Sequence, residues 1–168
     1  MIDDEKINIF IIIGSVMLIF SFFLPWIVYV DTFNNYLIEL NCLNLLSGTF
    51  GIGLIPWSAF FTTRGIDGFH IPMIIPLIVG IVGFILGYLR LFEKIDSFEN
   101  KKQYELLLWL CIFSFVAIIY IYTAMFIISQ DLWAFSVVVI LNGSGFILCL
   151  IGTAILLICS FIIKKHLI

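Results

Sequence analysis

Long apolar runs separated by short polar segments dominate this sequence. Four of the runs reach the roughly 20 residues that a helix needs to cross a bilayer. They cover residues 7 to about 24, 71–92, 106–129 and 136–163. The pattern predicts an all-α membrane protein: a single integral membrane domain over residues 1–168, built as a four-transmembrane-helix bundle with an ordered, partly extended first outer segment.

The first run ends in an unusual sequence, "LPWIVYV" (residues 24–30). The residue before a proline is pushed away from helical backbone angles, and tryptophan prefers the membrane–water interface. The β-branched and aromatic residues that follow Trp26 are typical of a strand. We therefore expect the helix to stop near Leu24, with Ile27–Val30 extended. A proline-kinked helix that continues to Val30 is the alternative, since membrane helices tolerate proline.

Three segments connect the predicted spans. Residues 31–70 form a long outer segment, 93–105 a polar inner loop and 130–135 a tight outer turn. A fifth apolar stretch, residues 41–61, lies within the first segment but contains asparagines, glycines and Pro56. We expect part of it to lie on or dip into the outer leaflet, or to pack beneath a partner, with Pro56 and Trp57 as an interfacial pair. Strand, interfacial helix and re-entrant path all remain open for it.

Basic residues are distributed unequally between the two sides that four spans define. Arg64 lies on one side, and seven of the eight basic residues lie on the other: Lys6, Arg90, Lys94, Lys101, Lys102, Lys164 and Lys165. Because cytoplasmic loops carry the excess of Lys and Arg, the asymmetry predicts a multi-pass protein of the cell membrane with both termini in the cytoplasm. A fifth span over 41–61 would destroy this asymmetry.

Small residues recur at helical spacing in the predicted spans, and in lipid such residues let helices approach closely. In the second span they are Gly80, Gly83 and Gly87; in the fourth they are Gly145, Cys149 and Gly152, with Asn142 as a strongly polar member of the same series. We expect these residues to pack helix against helix, with Asn142 hydrogen-bonded across the bundle.

The sequence contains few residues of the kinds that carry out catalysis, transfer protons or bind metals. Only 11% of residues are charged and the net charge is −3, which excludes a basic nucleic-acid binder. The spans contain no ionisable residue of the kind that marks a proton path, apart from Arg90 at one end, and the four cysteines form no C-x-x-C pair. His70 stands without neighbouring ligands. We therefore expect no catalytic residue, no cofactor and no metal site, and a protein that is not an enzyme.

The transition "FFLPW…IVYV" after the first span, a long first and a short second outer segment, and two inner termini resemble claudin-type tetraspan proteins. This resemblance implies an outer β-sheet rising from the end of the first helix. The family's outer disulfide has no counterpart, since only Cys42 lies in the outer segments. "FFLPW" and the Ser47–Gly48 motif also resemble small, uncharacterised prokaryotic four-span proteins.

An apolar, aromatic outer segment is typical of a surface that meets a partner. We expect an interaction, assembly or accessory subunit of a membrane complex, whose partners are membrane lipids and other membrane proteins or further copies of itself. The alternative is a small transporter, a channel component or a lipid-binding protein.

Overall fold

A computed structural model describes residues 4–31, 36–41, 51–52, 55–56, 70–92, 97–132, 137–140 and 143–166. Within these ranges the chain forms four helices, which account for most of the described residues: α1 (Asp4–Ser21), α2 (His70–Phe92), α3 (Ser97–Leu132) and α4 (Ser144–His166). Three of them contain stretches long and apolar enough to cross a membrane: Ile74–Phe92, Lys102–Thr123 and Ser144–Ile163.

The first helix differs from the other three. Its 18 residues include Asp4, Glu5 and Lys6, so the apolar part begins at Ile7 and reaches only Ser21. At 1.5 Å per residue this part is about 22 Å long, which is less than the roughly 30 Å of a hydrocarbon core. The structure therefore supports three membrane-spanning helices by length and composition, one fewer than the sequence predicts.

The helices alternate in direction around a common core. Gly87 of α2 faces Asn8 and its neighbours on α1, whereas Gly80 faces Ser15–Ile19, so these two helices are antiparallel. The hydroxyls of Ser114 on α3 and Thr153 on α4 lie 3.4 Å apart. α1 and α3 each pack against both α2 and α4. The basic end of the bundle carries Lys6, Arg90 and Lys102, and the sheet end carries Ser21 and Ser144.

The predicted inner loop 93–105 and outer turn 130–135 are wrong in part, because α3 extends beyond the predicted third span at both ends. α3 begins at Ser97 rather than Leu106, so most of the predicted polar loop 93–105 is helical, and it continues to Leu132 through part of the predicted turn 130–135. Glu, Lys and Gln are good helix formers, so a helix can continue past the membrane where the side chains are solvated. At 36 residues, α3 is about 54 Å long.

The predicted start of the fourth span is also wrong. α4 begins at Ser144, and Val137–Ile140, placed by the sequence inside the span, forms a strand, β5. A short apolar run does not distinguish helix from strand. Here Val137–Ile140 forms a strand and not part of the helix because it pairs with another strand, which lies more than 100 residues earlier in the chain.

The strands at the sheet end form a three-stranded antiparallel sheet in the order β2-β1-β5. The central strand is β1 (Pro25–Asp31), flanked by β2 (Tyr36–Asn41) and β5. Val28 pairs with Glu39 on one side and Ile140 on the other. A separate two-stranded ladder joins β3 (Gly51–Ile52) to β4 (Ile55–Pro56).

The expectation for "LPWIVYV" is confirmed. α1 ends at Ser21, before Pro25, and the backbone from Pro25 to Asp31 is a strand. The alternative of a kinked helix through Val30 is wrong. The helix ends three residues earlier than Leu24, and a register shift between Pro25 and Ile27 marks the entry into the sheet.

Candidate functional site

The best-defined cluster of polar and aromatic contacts lies where α1 gives way to β1 and where α4 begins. We call it the helix–sheet junction and define it by Ser21, Pro25, Trp26, Gly143, Gly145 and Phe146. It attaches both connecting segments of the sheet to the helical bundle. The contacts at the helix–sheet junction therefore determine how the sheet is positioned relative to the helices.

The end of α1 is fully hydrogen-bonded, although a helix leaves its last four carbonyl groups without partners inside the helix. The hydroxyl of Ser21 donates to the carbonyl oxygen of Leu18 at 2.7 Å. The backbone N–H groups of Phe22 and Phe23 donate to the carbonyls three residues earlier, at 3.3 and 3.1 Å. The indole N–H of Trp26 donates to the carbonyl oxygen of Ser21 at 2.7 Å. The helix can therefore end beside apolar side chains without burying an unpaired carbonyl.

Trp26 also anchors the strand through its ring. It is buried, with 2% of its surface exposed, and it meets Phe146 of α4 edge-on with the ring centroids 5.8 Å apart. Phe146 in turn stacks on Tyr122 of α3 at 5.7 Å. The aromatic contacts thus connect β1 with two helices. The sequence placed Trp26 at an interface with water, whereas the structure places it in the core.

Gly143 connects the start of α4 to β1. Its N–H donates to the carbonyl oxygen of Trp26 at 3.2 Å, and its own carbonyl accepts the first hydrogen bond of α4, from Ile147. A β-carbon at Gly143 would collide with the carbonyl group of Pro25. Glycine is accepted at the N-cap position, and here the close approach of another backbone requires it.

The predicted small-residue positions lie against α1. A β-carbon at Gly80 would come within 2.9 Å of Leu18, one at Gly83 within 2.5 Å of the Ser15 hydroxyl oxygen, and one at Gly87 within 2.8 Å of Ile12. These three glycines therefore occupy the contact between α1 and α2.

The series on α4 lies on the other side of α1. A β-carbon at Gly152 would lie 2.8 Å from the carbonyl oxygen of Gly14, and one at Gly14 would lie 3.1 Å from the carbonyl oxygen of Gly152. Gly145 faces the last turn of α1. Cys149, which lies between Gly145 and Gly152 along α4, is fully buried. Gly14, which the sequence analysis missed, is thus the partner of Gly152.

The remaining predicted positions are less well defined. Pro25 is the first residue of β1, and Pro56 is the last residue of β4. Trp57 and Asn142 lie outside the described residues. The expected hydrogen bond of Asn142 across the bundle therefore stays a prediction.

The buried hydroxyl groups of the described core mostly bond to their own helices. Ser15 donates to the carbonyl oxygen of Ile11 at 2.7 Å and Ser160 to that of Leu156 at 2.8 Å. The pair Ser114–Thr153 is the hydroxyl contact between helices. Such bonds hold polar groups inside a helix bundle. Among the residues that the structure describes, no group of three or more potential metal ligands occurs.

Two further residues were missed by the sequence analysis: Gly143 and Phe146. The "LNG" that follows the β-branched run 137–140 is a turn signal that could have indicated Gly143. Nothing local distinguishes Phe146 from the other phenylalanines of the chain.

Comparison with family models, with curated proteins and with solved structures found no match.

Proposed function

We propose that this chain is a non-catalytic, multi-pass membrane protein that acts as an interaction, assembly or accessory subunit of a membrane complex. The observation that carries the proposal is the three-stranded sheet. Its strands come from both segments at one end of the bundle, and Trp26 and Gly143 hold it to the ends of two helices. A sheet held rigidly at one end of a bundle suits the presentation of a fixed surface to a partner.

The proposal includes α1 as a fourth span. α1 packs antiparallel against α2 and α4, two helices that are themselves apolar enough to cross. Away from those contacts it exposes Ile9, Phe10, Ile13 and Phe20. A helix with apolar residues both towards its neighbours and away from them suits a lipid environment. Phe22–Leu24 and the buried Trp26 extend the apolar length beyond Ser21.

The claudin-like resemblance stays part of the proposal. It implies a sheet that rises from the end of the first helix, and the strand Pro25–Asp31 follows α1 after three residues. The sheet end would then lie outside the cell and the basic end in the cytoplasm.

The orientation can be tested by cysteine labelling from outside intact cells, on a background without the four native cysteines. We expect Asp67→Cys to react with a membrane-impermeant maleimide and Lys101→Cys to react only after the cells are opened. The reason is that positively charged segments are retained in the cytoplasm. Reaction at Lys101→Cys with protection at Asp67→Cys would show the inverted topology.

The partner can be tested by site-specific photo-cross-linking in native membranes, followed by purification in mild detergent. A benzophenone amino acid at Tyr36 of β2 or Val137 of β5 is expected to cross-link one membrane protein, which also copurifies in a fixed ratio. The same probe at Trp109 or Phe113, exposed on α3, serves as the control and is expected to cross-link lipid. A chain that purifies alone, with only lipid adducts at all four positions, would contradict the proposal.

A further inference from the structure

We draw no further inference here: the strongest candidate, the column of exposed aromatic rings that Phe84, Tyr88 and Phe92 form along α2, carries nothing, because it is an apolar face and nothing in the structure shows what covers it.

Discussion

Replacing Gly145 by leucine is expected to destabilise the protein by about 3 kcal/mol or more, at or above the upper end of the range for overpacked cores. A β-carbon at this position would lie 2.5 Å from the carbonyl oxygen of Leu24 and 2.7 Å from that of Ser21. Both are backbone atoms, so they cannot turn aside as a flexible side chain would. The second oxygen is also the acceptor of the Trp26 indole N–H, so the substitution breaks that bond as well.

Thermal unfolding in detergent, followed by circular dichroism, measures this effect. Ala154→Leu is the matched control, because Ala154 lies on the same helix with an exposed side chain and should change the midpoint little. Gly145→Ala is expected to destabilise as well, since its single methyl group already meets the two oxygens. A Gly145→Leu variant as stable as the control would show that α4 does not approach α1 as closely as described.

Replacing Trp26 by alanine is expected to cost about 3–5 kcal/mol, as for other buried aromatic residues. The substitution removes the ring that meets Phe146 and the N–H that pairs with the carbonyl oxygen of Ser21. Trp26→Phe separates the two contributions: it keeps most of the ring but leaves that oxygen unpaired, for which about 1–3 kcal/mol is expected.

Trp109→Ala provides the comparison for Trp26, because Trp109 is 60% exposed on α3. Limited proteolysis of the 25–41 region adds a local measurement, since loss of the anchor should free β1 and β2 before the bundle unfolds. If Trp26→Ala and Trp109→Ala unfolded at the same temperature, Trp26 would not anchor the sheet.

The small-residue positions show how far sequence reasoning reached. Spacing alone placed Gly80, Gly83 and Gly87 on one face of a helix, and that face does lie against a neighbour. Spacing could not name the neighbour as α1 or identify Gly14 as the partner of Gly152, because a periodic pattern describes one helix at a time. The contacts of Asn8 and Phe146 depend in the same way on which helices are adjacent.

The sequence by itself determined the properties that depend on local chemistry. Apolar length and low charge predict membrane-spanning helices, and α2 begins within one residue of its predicted start. Pro25 and the β-branched residues after it predict the end of α1 and the strand that follows, because the backbone restriction before proline acts between neighbouring residues.

Only the tertiary structure decided the state of Val137–Ile140 and the role of Gly143. A run of four β-branched, apolar residues suits a buried helix or a strand, and its hydrogen bonds to β1 determine which one forms. Gly143 matters because the backbone of Pro25 and Trp26 lies against it. Contacts between segments so far apart in the chain leave no local pattern, since each segment satisfies its own preferences in more than one conformation.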